Sequence, residues 1–161
     1  MDPCFFAPPA RNWNREGKKF MEQGKSVRGE EYCFACGPEN PIGLHLDFHM
    51  EGKRFTTRKT LPSEYQGYSG IVHGGIVTTM LDEAMGGYLY HELGERAVTA
   101  RLDVRYRNPA PVGEELVIAG WEESRRGGFV SMKAELALTD GTVLAEAAAK
   151  MALVGEKDGM E

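Results

Sequence analysis

Ile71-Val72-His73-Gly74-Gly75-Ile76-Val77-Thr78-Thr79-Met80-Leu81-Asp82-Glu83-Ala84-Met85-Gly86-Gly87 is the stretch on which the reading of this chain turns. Apolar residues recur as adjacent pairs every four positions: Ile76 and Val77, Met80 and Leu81, Ala84 and Met85, then Tyr88 and Leu89. That period is one face of an α-helix. The pattern predicts a helix over about residues 75–91, roughly 25 Å long at 1.5 Å per residue. Two features set it apart from a plain core helix. His73-Gly74-Gly75 puts bare backbone at its start, where the first N–H groups lack internal partners and carry the positive end of the helix dipole. With no Cβ in the way, a ligand oxygen can approach them closely, which makes Gly74 and Gly75 candidate oxyanion donors. Asp82 then sits inside the apolar run, where an acid is a poor helix former and is rarely buried without a partner. Its i+4 neighbour, Gly86, leaves that face open to a ligand or a second chain.

The segments on either side read as strands. Leu44, Leu46, Phe48 and Met50 alternate with polar residues over 44–50, Glu51-Gly52-Lys53 turns the chain, and 54–60 returns. Residues 61–72 form a loop rich in Gly, Ser and Tyr. After the helix, Gly94 is a C-terminal stop. A long alternating strand occupies 97–106, and Asn108-Pro109-Ala110-Pro111 breaks it. Three more strands are expected near 115–125, 128–139 and 143–153, joined by hairpin signals at Arg126-Gly127-Gly128 and Thr139-Asp140-Gly141. The last contains Ala145-Glu146-Ala147-Ala148-Ala149-Lys150, which favours helix on propensity alone. The order is two strands, one long helix and four strands, with an antiparallel sheet expected to curl around the helix.

The chain has 161 residues, 42% hydrophobic and 27% charged, which suits one globular α+β domain. A net charge of −5 argues against a nucleic-acid binder, since no basic face is there to neutralise phosphates. No apolar run reaches the length of a membrane span. The N-terminus lacks the pattern of a signal peptide, so cytoplasmic residence is the default expectation. Residues 1–30 read as an extension with a short amphipathic helix near 12–21, 31–155 as the folded domain and 156–161 as a tail. Three cysteines, Cys4, Cys33 and Cys36, do not suggest a disulfide framework. Cys33-Phe34-Ala35-Cys36 is a C-x-x-C pair. Zinc would need two further ligands, for which His45 and His49 are the available residues. A redox pair normally opens a helix after a strand, and no such context surrounds this one. The simplest reading is a structural turn leading into the first strand.

His-Gly-Gly, six residues and then Asp resembles the signature of PaaI-like hotdog-fold acyl-CoA thioesterases. The run Tyr65-Gln66-Gly67-Tyr68-Ser69-Gly70 ahead of it is similar to the subgroup of thioesterase superfamily members 4 and 5. The similarity spans about residues 32–154 and includes the Cys33–Leu44 loop segment. It implies a hotdog fold, hydrolysis of an acyl-CoA thioester and a homodimer, with tetramers left open. It also implies that Asp82 serves as general base or nucleophile, and that Thr99 orients water. Gln66 and Tyr68 on the loop, together with Met85 and Gly86, are expected near the substrate. His73 is expected either to fix the start of the helix or to touch substrate. Tyr65 would add an aromatic wall, and Arg105, Arg107, Arg125 and Arg126 are candidates for the CoA nucleotide. No metal or redox cofactor is required, since coenzyme A is part of the substrate. Two other uses of such a fold are a non-catalytic acyl-CoA binding or sensing module and a hydratase. The first needs no mid-helix acid, and the second needs a base histidine where this helix carries Asp82.

Overall fold

The computed structural model describes residues 31–154. The expected helix at 12–21, Cys4 and the 156–161 tail lie outside the described residues. The chain divides into two compact units, residues 1–45 and 46–161.

The described part of the first unit is a succession of turns. Gly37 N–H donates to the Cys33 carbonyl at 2.9 Å, Glu39 N–H to the Glu31 carbonyl at 2.8 Å, and Leu44 N–H to the Phe34 carbonyl at 2.8 Å. Asn40 ties the loop further: its carboxamide oxygen accepts from Ile42 N–H, and its amide donates to the Tyr32 carbonyl.

The second unit is a six-stranded antiparallel sheet wrapped on one helix, which is the hotdog arrangement. In chain order the elements are β1 (His49–Glu51), β2 (Arg54–Thr60), α1 (Gly74–Gly87), β3 (Ala97–Tyr106), β4 (Glu115–Arg126), β5 (Phe129–Leu138) and β6 (Val143–Leu153). The strands lie in the order β1-β2-β4-β5-β6-β3. A π-helical turn, Tyr88–Glu92, extends α1, and Gly94 at a φ of 66° ends it by donating to the Tyr90 carbonyl. Helical propensity in Ala145–Lys150 yields to the ladders that β6 makes with β5 and β3 on its two sides.

The first strand is shorter than its alternation predicts. Leu44 and Leu46 are buried as expected, but ladder pairing begins only at His49. His45 sits at a φ of 49°, a turn conformation that breaks the pleat. Farther on, the Thr57 hydroxyl donates to the Asp47 carbonyl at 2.6 Å, so a side chain supplies the tie to β2 that a backbone rung would give. His45 and His49 therefore do not share a strand face.

The core lies between α1 and one face of the sheet. Val77, Met80, Leu81, Ala84 and Met85 are buried against alternating residues such as Ile118, Val130, Met132, Leu136 and Met151. Helix and sheet approach closely at Gly120, where a Cβ would overlap the backbone carbonyl of Ala84. Only glycine allows that approach. Gly87 is likewise turned to the core of its own chain, with Phe55 3.1 Å from where its Cβ would stand. Among the described residues, no helix is long and apolar enough to cross a membrane.

Candidate functional site

The start of α1 is built by a chain of local contacts. The loop before it contains a 3₁₀ turn, Ser63–Tyr65, and is closed by His73 N–H donating to the Tyr65 carbonyl at 2.9 Å. Val72 N–H donates to the Ala110 carbonyl, and Val112 N–H to the Gly70 carbonyl, which holds the loop on the segment after β3. His73 is the N-cap. Its Nδ1 accepts the Gly75 N–H at 2.9 Å, satisfying one of the helix's orphan donors. This gives the histidine a role in fixing the helix start, and it means that the Gly75 amide is occupied by the ring in this conformation.

Two residues that sequence reasoning missed complete this end. The Tyr106 hydroxyl donates to the Gly74 carbonyl at 2.8 Å, and it lies 2.6 Å from the Thr78 hydroxyl. Thr78 in turn reaches the Gly74 carbonyl at 3.0 Å. The Gly74–Gly75 peptide is thereby polarised from its carbonyl side, which strengthens its N–H as a donor. No local pattern could have exposed this, because Tyr106 and Thr78 lie 28 residues apart.

Halfway along the helix, Asp82 is half-buried, and its Oδ1 accepts from the Thr99 hydroxyl at 2.8 Å. The expected pair is thus brought together. The register of β3 explains how. Thr99, Leu102, Val104 and Tyr106 pair with Met151, Ala149, Ala147 and Ala145, which all point to the helix side. Thr99 and Leu102 are three apart and could not share a face in a regular strand. A bulge between Thr99 and Arg101 absorbs the odd residue and turns Thr99 toward α1.

Gly75, Thr79, Asp82 and Gly86 follow one another at helical spacing along the side of α1 away from the core, and none of them is buried. Beside them β3 is an open edge, exposed along nearly its whole length, with Val98 and Tyr106 each 53% exposed.

The remaining expected substrate residues divide. Gln66 is exposed on the loop, with its side-chain oxygen accepting from Gly70 N–H at 3.1 Å. Tyr68 is 85% exposed, and Tyr65 is half-buried. A Cβ at Gly86 would stand 3.4 Å from the Met151 methyl. Met85 is completely buried in this chain, four residues after Leu81 on the core face of α1. Of the arginines, Arg107 is paired with Glu146 at 2.7 Å. Arg125 is held between Glu122 and Glu95, whose carboxylates keep it firmly protonated. Arg105 instead lines a groove of about 390 Å³ on the outer face of the sheet, with Arg54, Trp121 and Lys133.

Residues 69–145 match the thioesterase superfamily. That stretch lies within the hotdog domain and is what this chain shares with the superfamily. The matched stretch contains His73, Gly74, Gly75, Asp82 and Thr99, whereas Gln66 and Tyr68 precede it. Acyl-coenzyme A thioesterase THEM4 of Xenopus laevis is 30% identical over 139 residues, covering 85% of this chain and 55% of that protein. The chain therefore spans about half the length of that curated relative. A solved thioesterase superfamily protein superposes with a TM-score of 0.68 at 28% identity, over 73% of this chain and 61% of that one. A hypothetical thioesterase from Streptococcus pneumoniae TIGR4, solved with coenzyme A, has the same fold. Its TM-score is 0.63 at 20% identity, over 68% of this chain and 89% of that one.

Proposed function

We propose that the protein hydrolyses an acyl-CoA thioester to the free acid and CoA, in the cytoplasm, as a homodimer whose sites are shared between subunits. The observation that carries this reading is Asp82: an acid on the open side of a core helix, fixed by Thr99. The superfamily match supports the reaction class, and the Streptococcus pneumoniae thioesterase of this fold, solved with coenzyme A, supports the ligand class.

The dimer follows from distance and from exposed surface. Asp82 lies seven residues beyond Gly75, about 10 Å along the same helix, too far to serve a carbonyl held at that helix's own start. A second copy laying its helix antiparallel alongside brings Gly75 of one chain to Asp82 of the other, twice, by two-fold symmetry. The uncovered Gly75-Thr79-Asp82-Gly86 side of α1 and the ten-residue open edge β3 are the surfaces such a partner would cover.

In that arrangement the thioester carbonyl accepts from the Gly74 or Gly75 N–H. The exposed His73 ring turns aside when the Gly75 amide is used. Such a donor contributes about 2.7–4 kcal/mol to the transition state. Asp82 takes a proton from water aligned by Thr99, hydroxide adds to the carbonyl carbon, and the tetrahedral intermediate expels CoA thiolate. Direct attack by Asp82, giving an anhydride that water then opens, uses the same geometry. Gln66 and Tyr68 border the substrate from the loop, and Gly86 leaves room for it. No metal or redox cofactor takes part.

A second reading, non-catalytic acyl-CoA binding, draws on the His73 ring already occupying the Gly75 amide. A thiol-release assay over a panel of acyl-CoAs separates the two. Hydrolysis by the wild type that collapses in Asp82→Ala and Asp82→Asn supports the enzyme. Binding without turnover of any acyl-CoA supports the sensor, and equal turnover in wild type and variants removes Asp82 from the chemistry.

A further inference from the structure

The C-x-x-C pair has no part in this chemistry, and its surroundings are more specific than its sequence context suggests. Cys33 and Cys36 are both reduced, each half-buried, with sulfur atoms within 4.8 Å of one another. The turn that carries them is tightly wound. Gly37 N–H closes it on the Cys33 carbonyl, and a Cβ at Gly37 would collide with the Cys33 and Glu31 backbones. The winding points a backbone donor at Cys33: Cys36 N–H lies 3.5 Å from its Sγ, a bond that favours this sulfur as thiolate.

We propose that Cys33 and Cys36 form a thiol–disulfide exchange site for small-molecule disulfides, with Cys33 as attacking thiolate and Cys36 as resolving thiol. Cys33 thiolate attacks one sulfur of the disulfide RSSR. A Cys33–SR bond forms, the RS–SR bond breaks, and RS⁻ leaves with the electron pair. Cys36 gives its proton to that thiolate or to solvent and attacks Cys33 Sγ, forming the Cys33–Cys36 disulfide and expelling the second RS⁻. Overall the pair gives up two electrons and two protons, one proton from Cys36 and one that Cys33 had already released to solvent, and RSSR becomes two RSH. A nearby Cys36 suits the second step, since the change from contact to bond needs only a small closure of the turn.

The charge state of Cys33 agrees with this. The Cys36 thiol hydrogen bond, with help from the Cys36, Ala35 and Gly37 amides, holds Cys33 down at about 5 against the opposing effect of burial. Such a thiol is a thiolate at neutral pH, while an ordinary cysteine near 8.5 is mostly protonated.

The test uses the full chain. In the wild type, alkylation by iodoacetamide is followed by peptide mass spectrometry between pH 4 and 9. Cys33 should titrate with a midpoint near 5, and at pH 6 it should be labelled more completely than free glutathione in the same tube. With oxidised glutathione, the intact wild type should lose about 2 Da, and Cys36→Ser should instead stop as a glutathione adduct on Cys33. Cys33→Ser should give neither product. A Cys33 alkylation midpoint near 8.5, or adducts distributed equally between Cys33 and Cys36, would overturn the assignment. So would one equivalent of zinc bound by the purified chain that blocks both cysteines until a chelator removes it, because the pair would then be a metal site.

Discussion

Leu81 and Asp82 are neighbours in sequence and opposites in environment. Leu81 belongs to the face of α1 formed by Val77, Met80, Ala84 and Met85, where every side chain is buried by the same chain's sheet. Asp82 belongs to the Gly75-Thr79-Asp82-Gly86 side, which that sheet does not cover and where the Thr99 hydroxyl reaches over from β3. The first face explains why the domain folds. The second is left over after folding is explained, and a small, polar, partly open helix side beside an open sheet edge makes sense only as a place where something else fits.

The two faces should separate cleanly by mutation. On the open side, Asp82→Asn should lower kcat by about 10²–10⁴-fold, the usual loss when a positioned base is removed, with little change in melting temperature. On the buried side, Leu81→Ala should cost about 2–5 kcal/mol of stability, read by urea or thermal unfolding. Below its transition the folded fraction should keep a kcat near that of the wild type. An Asp82→Asn variant that unfolds as readily as Leu81→Ala would erase the distinction between the faces. The smallest effect is expected at Thr99→Val, which removes one hydroxyl and keeps the shape. Roughly tenfold in kcat, equivalent to about 1.4 kcal/mol, should be lost with KM little changed. An unaltered kcat would make the Thr99–Asp82 hydrogen bond a structural contact only.

The buried face was also the more legible one. Its apolar pairs follow helical arithmetic, and β2, β3 and β6 begin and end where alternation and turn residues place them. Asp82 and the His73-Gly74-Gly75 start could be singled out because their residue types are out of place for a core, whereas Thr99 was marked only by the family resemblance. What stayed hidden depends on contacts between distant segments. The Tyr106–Thr78–Gly74 cluster joins a strand end to a helix start, and nothing near either residue marks it. The bulge that turns Thr99 toward Asp82 exists only once β6 is in register. Met85 could not be assigned from sequence, because an apolar residue near a candidate site reads equally well as wall or core, and packing puts it on the buried face. The shortened β1 has the same origin: alternation foretells the buried side of Leu44 and Leu46, but not that Thr57 would take over a backbone rung.

The shared active site is tested most directly by mixing two dead variants. Asp82→Asn and Gly75→Pro, the second lacking the amide hydrogen, are unfolded together, refolded and assayed for thiol release. If each site joins Gly75 of one chain to Asp82 of the other, every mixed dimer regains one intact site, and random pairing should restore about a quarter of wild-type activity. If each chain uses its own Gly75 and Asp82, no site in the mixture is intact, and activity confined to the sum of the two variants would contradict the account.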